Sequence, residues 1–182
     1  FITQSKEFWQ NRYQQPGQPA WDLGEPAPAF SMLLQQPPSW LLAAKIMVLG
    51  CGFGHDAALF GKNKFAVTAV DYAPTAIAGA KSRYSNWAQF IEADIFNLNP
   101  NLHKQFDFVL EHTCFCAIPP PKRQQYVEVA YNLLKPGGIL IGLFWAHTQP
   151  GGPPFGTTPK EIEAYFTPPF VKLSLQPAPA SP

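Results

Sequence analysis

The sequence predicts an α/β protein built on a doubly wound, mostly parallel sheet, and three observations predict it. Short apolar runs rich in β-branched residues alternate with segments of helical period, the pattern that parallel βαβ units require. Val48-Leu49-Gly50-Cys51-Gly52-Phe53-Gly54 sets a glycine loop directly after the first such run. Asp71 closes the second run. In an open parallel sheet, ligands bind beyond the carboxyl ends of the strands, so the loop and the acid belong to one end of the molecule.

Each element has its own reason. Phe8 to Gln14 reads as a short aromatic-rich helix, and Pro16 to Pro28 as irregular, since prolines and glycines break both regular periods. Ala29 to Gln36 reads as a helix stopped by Pro37 and Pro38. Lys45 to Leu49 is a buried first strand, and Gly54 to Phe60 opens a helix. Phe65 to Asp71 (FAVTAVD) is a β-branched second strand. Pro74 to Tyr84 is a helix with Pro74 in its first turn, where no N–H is needed. Gln89 to Asp94 is a third strand and Phe106 to Glu111 (FDFVLE) a fourth. In Lys122 to Leu134, residues Val127, Ala130, Tyr131 and Leu134 recur at helical spacing, and Lys135-Pro136-Gly137-Gly138 stops the helix. Ile139 to Trp145 is a nearly all-apolar fifth strand, expected to be buried on both faces. Pro159 to Phe166 reads as a helix and Val171 to Gln176 as a last strand. There are no internal repeats. The expectation is a single domain over 1–182, with 1–44 as an N-terminal lid and substrate segment and 45–182 as the sheet core.

The chain has 182 residues, 46% hydrophobic and only 14% charged, enough to bury one packed core. A net charge of +1 gives no reason to invoke nucleic acid or an anionic membrane. No apolar run reaches the ~18 residues a membrane span needs. Three cysteines cannot all pair, and none has a convincing metal spacing, so no metal is expected and a reducing cytoplasm is the simpler compartment. No signal-peptide pattern opens the chain. The first residue is Phe1, which reads as a trimmed chain or fragment. Many of the 21 prolines sit in Pro16 to Pro38 and Pro150 to Pro182, outside the ordered middle.

Loop and acids together describe a nucleoside site. Gly50 and Gly52 let the backbone come close to a ligand. Asp71 accepts from both ribose hydroxyls. Asp94, in Glu92-Ala93-Asp94-Ile95-Phe96, suits an amine donor such as the adenine N6. Ile95 offers a backbone amide and an apolar face, and Tyr72 packs on adenine or ribose. A dinucleotide loop wants Gly-x-Gly-x-x-Gly, with its third glycine at position 55. His55 stands there, and the glycine comes one residue early at Gly54. Asp56 is read as bracing the loop rather than touching ligand.

The set resembles a class I S-adenosylmethionine-dependent methyltransferase with a Rossmann-like fold. More narrowly, it resembles the thiopurine S-methyltransferase superfamily, on the branch of the halide, thiol and thiocyanate enzymes. Four stretches carry the likeness: Phe8-Trp9-Gln10-Asn11-Arg12-Tyr13 with Pro19-Ala20-Trp21-Asp22-Leu23-Gly24; Gly50-Cys51-Gly52-Phe53-Gly54-His55-Asp56; Phe115-Cys116-Ala117-Ile118-Pro119; and Gly151-Gly152-Pro153-Pro154-Phe155. Val48, where many methyltransferases carry an acid, agrees with this branch. The resemblance implies cofactor contacts from Trp9, Tyr13, Gly50, Asp71, Asp94, Ile95 and Glu111, the last toward the cofactor's amino group. Trp9 and Tyr13 are four apart and share one helix face, which can lid the cofactor. Relatives continue past Val171 to Gln176 with a turn and one more, antiparallel, strand. Here that strand is missing or truncated, which leaves an open, weakened edge.

The resemblance also implies the reaction: transfer of a methyl group from S-adenosylmethionine to a small soft nucleophile by in-line displacement, with S-adenosylhomocysteine as product. Phe8, Trp21, Phe115 and Phe155 are the expected acceptor pocket. Aromatic faces there stabilise a sulfonium by ~0.5–2 kcal/mol each and exclude water. His112 is the candidate proton acceptor from a thiol. Cys114 and Cys116 read as small apolar residues. The expected partner is a small molecule, and the expected state a monomer. Alternatives are a thiopurine-like heterocycle or a metalloid as acceptor, a nicotinamide-dependent oxidoreductase, and a cofactor-binding but inactive module.

Overall fold

A computed structural model describes residues 5–179. In chain order its elements are α1 (Lys6–Gln14), α2 (Pro28–Gln35), β1 (Lys45–Leu49), α3 (His55–Lys62), β2 (Ala66–Asp71), α4 (Pro74–Tyr84), β3 (Gln89–Glu92), β4 (Phe106–His112), α5 (Arg123–Leu133), β5 (Leu134–Leu143) and α6 (Pro159–Phe166). The sheet order is β3-β2-β1-β4-β5, and all four pairings are parallel. The order reverses between β1 and β4, which puts the switch point at the end of β1, where the glycine loop begins.

Strand alternation divides the core in two. Ile46 and Val48 of β1 and Phe108 and Leu110 of β4 face one layer, with Phe30 of α2, Phe60 of α3 and Ile77 of α4. Met47, Leu49 and Val109 face the other, with Tyr126 and Val127 of α5 and Ile162 and Phe166 of α6. A period of two makes this inevitable once both faces are covered. It also sets which layer each strand's last residues turn toward. In β4, Glu111 shares the side of Val109, while His112 shares the side of Leu110.

Three expectations about the last part of the chain are corrected. β5 begins at Leu134, five residues earlier than the apolar run, because Leu134 pairs with Phe106 before the register shifts to Ile139 opposite Phe108. Its central residues Ile139–Ile141 are half-buried rather than buried, since β5 is the edge strand and pairs only with β4 among the described residues. Val171 to Gln176 forms no strand. Alternation alone supplies no backbone partner: Val171 and Leu173 are 83% and 72% exposed and meet no core. Among the described residues, no antiparallel strand joins the sheet.

Candidate functional site

Beyond the carboxyl ends of the strands lies a cavity of about 1050 Å³. Every strand delivers a residue to it: Gly50 after β1, Asp71 and Tyr72 at the end of β2, Asp94 and Ile95 after β3, His112 at the end of β4, and Phe144 after β5. α1 and the irregular stretch after it cover one side with Trp9, Tyr13 and Trp21.

The glycine loop is held by the acid that the sequence paired with it. Asp71 Oδ2 accepts from the Gly52 N–H at 2.8 Å and Oδ1 from the Ala73 N–H at 2.9 Å. Cys51 N–H donates to the Val70 carbonyl at 2.9 Å, so the loop leaves the sheet still tied to β2. Gly50 has φ +63°, and a Cβ there would stand 2.8 Å from Cys114 Sγ, so both backbone and space require glycine. Burial raises the Asp71 pKa, against the backbone N–H groups that lower it. Its carboxylate has lone pairs to spare beside the cavity, and further donors there would favour the charged form.

Asp94 caps the 3-10 turn Ile95–Asn97, accepting from the Phe96 N–H through Oδ1 at 2.9 Å. Ile95, Phe96 and Tyr72 also line the cavity. The lid is an edge-to-face aromatic chain. Trp9 meets Trp21 at 5.7 Å, Trp21 meets Tyr13 at 5.5 Å, and Tyr13 meets Phe53 of the glycine loop at 5.2 Å. Gln10 fixes α1 in place: it accepts from the Thr75 N–H at 2.9 Å and its side-chain amide donates to Thr75 Oγ1 at 2.6 Å. Burial, then the charge of Asp71, push the Tyr13 phenol well above its ordinary pKa, so it stays a neutral donor beside the loop.

At the end of β4, His112 Nδ1 lies 2.7 Å from Asp56 Oδ2. The other Asp56 oxygen accepts from the Ala27 N–H at 2.8 Å. Burial works to lower the His112 pKa, but the Asp56 hydrogen bond and charge, then Glu111, carry it above the usual value.

Four expected site residues lie elsewhere. Glu111 is buried beneath α5, where it accepts from the Cys114 and Phe115 N–H groups at 3.1 and 2.9 Å and from the Tyr126 hydroxyl. Strand parity turns it to the Val109 side, away from the cavity. Phe115 is 1% exposed and sits among Tyr126, Phe144, Tyr165 and Phe166. The bond from its N–H to Glu111 pulls the 3-10 turn Phe115–Ala117 inward. Phe155 packs over Gly152, and its N–H donates to the Cys116 carbonyl at 2.7 Å, leaving Pro153 and Pro154 to line the cavity. Phe8 meets Trp9 edge-to-face at 5.2 Å, with the Arg12 guanidinium over its own ring.

The cavity also gathers residues that the pattern did not single out. Cys51, Phe53, Phe96, Ile118 and Phe144 line it, as do Leu175 to Ala178. Phe53 and Phe96 each neighbour a residue that was singled out, which is the signal for them; Leu175 to Ala178 carried none. Cys51, Cys114 and Cys116 all line the cavity as neutral thiols. Burial pushes Cys51 and Cys114 well above their ordinary value, and pushes Cys116 up to about 12. Among the described residues, no group of three metal-ligating side chains converges, and no helix is long and apolar enough to cross a membrane.

A family model described as thiopurine S-methyltransferase matches residues 4–178. Probable thiol methyltransferase 2 of Arabidopsis thaliana is 30% identical over 166 residues, which cover 88% of this chain and 71% of that one. Thiocyanate methyltransferase 1 of Brassica oleracea is 31% identical over 154 residues, covering 81% and 66%. A solved structure described as the conversion of a disulfide bond into a thioacetal group during echinomycin biosynthesis superposes with a TM-score of 0.77 at 22% identity. It covers 89% of this chain and 77% of its own. At that identity the likeness shows the fold.

Proposed function

Since this chain belongs to the thiopurine S-methyltransferase family and is an S-adenosylmethionine-dependent methyltransferase, we propose that its acceptor is a small soft nucleophile: a thiol, thiocyanate or a halide. The residues at the strand ends suit the cofactor. Asp71 is a buried acceptor at the cavity wall, and Gly52 offers bare backbone where a Cβ would stand 3.1 Å from the Tyr13 hydroxyl. When bound, S-adenosylmethionine supplies a methyl group already activated on a positive sulfur.

The chain's own residues do the rest. Asp71 receives the ribose hydroxyls. Asp94 receives the adenine amine, with Ile95, Phe96 and Tyr72 as its apolar surround. Trp9, Tyr13 and Trp21 exclude water and present aromatic faces to a cation. At ~300–1000 Å³ for a typical ligand pocket, a cavity of about 1050 Å³ leaves room beside the cofactor for an acceptor.

One observation carries the acceptor class. Among the segments at and after the ends of β4 and β5, Cys116, Ile118, Phe144, Pro153 and Pro154 give the cavity an apolar wall, which His112 and Lys122 also border. Such a wall leaves an anion or a neutral thiol weakly hydrated and reactive. The likeness to proteins named thiol and thiocyanate methyltransferases supports the same reading. A thiopurine-like heterocycle is the second reading, favoured by the volume of the cavity.

Incubation with methyl-labelled cofactor and a panel of aliphatic thiols, iodide, thiocyanate and an aromatic thiol separates the two. The proposal expects transfer to the small acceptors, and faster transfer to them than to the aromatic thiol. Transfer to the aromatic thiol alone, or to none, overturns it.

A further inference from the structure

We propose that Asp56 and His112 form the acceptor subsite, with Asp56 holding the ring through Nδ1 so that Nε2 takes the proton of a thiol or, already protonated, donates to thiocyanate or a halide. This rests on the acceptor class proposed above and says how one site serves both kinds of acceptor.

Asp56 comes from the first turn of α3 and is anchored by the Ala27 N–H, so its position does not depend on His112. His112 reaches it because it shares the strand side of Leu110. Phe30 of α2 closes the ring edge-to-face at 5.7 Å. With Nδ1 engaged at 2.7 Å, Nε2 has no hydrogen-bond partner among the described residues, and the ring lines the cavity. A carboxylate on Nδ1 selects the tautomer in which neutral His112 presents a bare Nε2. The acidic groups acting on the ring are Asp56 on α3 and Glu111 on its own strand. The adjacent residues of α2 and β5, Phe30 and Leu143, do not titrate.

The proton count then separates the acceptors. A neutral thiol with neutral His112 and a thiolate with imidazolium are the same complex with the proton moved from sulfur to Nε2. The acceptor sulfur forms its bond to the methyl carbon as that carbon leaves the donor sulfur, which keeps the bonding pair. A halide brings no proton, so its complex needs imidazolium already formed. Thiol transfer therefore rises with pH through the His112 titration and then levels. Iodide transfer is level below that titration and falls tenfold per pH unit above it.

The test measures kcat/KM for iodide and for an aliphatic thiol across pH 5–9 in wild type, His112→Gln and Asp56→Asn. It also tracks the His112 ring proton by NMR with S-adenosylhomocysteine, with and without thiocyanate. The expected results are a falling iodide limb in wild type, no limb in His112→Gln, and no limb in Asp56→Asn, where the amide oxygen keeps Ala27 and the amide nitrogen donates to Nδ1, so that neutral His112 already carries its proton on Nε2; thiol transfer falls in both variants. Thiocyanate raises the pH at which His112 titrates. An iodide profile that is level in wild type, a limb retained in His112→Gln, or a His112 titration unmoved by thiocyanate overturns the subsite. Absence of transfer to every acceptor overturns the acceptor class instead, and the NMR titration still judges the dyad.

Discussion

Asp71 ties down Gly52 and Ala73 with one carboxylate, and it faces the cavity, where we propose that it receives the ribose hydroxyls. Its burial raises its pKa, so in the free protein the charged form is less favoured than in an exposed aspartate. Two charge-assisted donors from a ligand reverse that preference, so binding releases a proton wherever Asp71 is partly protonated. Affinity for S-adenosylhomocysteine is therefore full above the Asp71 titration and declines as pH falls through it. Asp71→Asn keeps an acceptor for one backbone N–H but loses the charge, and is expected to weaken binding by about tenfold to a hundredfold and to flatten the pH dependence. Calorimetry at several pH values checks both; unchanged affinity refutes the assignment. Asp71 was legible from its place at the end of a strand. Glu111 ends its strand in the sequence reading, but β4 runs one residue further to His112 and Glu111 lies level with Val70, so strand parity turns it under α5. The same parity shows that the next residue, His112, faces Asp56, a partner 56 positions away in sequence and invisible in any local motif.

The glycine loop is an element whose conformation and surroundings both exclude side chains at Gly50. Gly137, at the bulged start of β5, offers a control: its φ is +79°, but a Cβ there meets nothing within 4 Å. Alanine at either site costs about 1–2 kcal/mol for left-handed backbone. At Gly50 it also drives into Cys114 Sγ and displaces the loop. Urea denaturation with ligand titration is expected to show both variants destabilised, and cofactor affinity lost only in Gly50→Ala. Equal affinities would mean that the loop does not cradle ligand. Elements with a strong local signal lie where the sequence put them: β1 and α4 match to the residue. Val171 to Gln176 alternates as a strand should, yet a strand exists only where a partner's backbone meets it.

At the scale of the whole molecule, the cavity joins parts that the sheet alone does not hold together. α1 and the stretch through Trp21 meet the glycine loop through the Tyr13–Phe53 edge, α4 through the Gln10–Thr75 pair and β3 through the Lys6–Glu92 ion pair. A ligand seated between them binds the folded form alone. At a hundred times its dissociation constant, S-adenosylhomocysteine is expected to raise the melting temperature by about 5–11 °C. Differential scanning calorimetry checks this, with iodide and thiocyanate added separately. A shift under about 2 °C at that concentration would show that S-adenosylhomocysteine does not bind the folded form selectively.

By itself the sequence determined the alternating α/β order, the parallel sheet, the glycine loop with its two acids and, through the family resemblance they carry, the methyl donor. These are local signals: hydrophobic period, left-handed turns and the residue that ends a strand. The tertiary structure decided which aromatic residues face the cavity, that Phe115 and Glu111 are core, that Leu175 to Ala178 border the site, and that Asp56 meets His112. Those outcomes depend on strand parity and on contacts between distant segments, which packing creates and no short stretch of sequence contains.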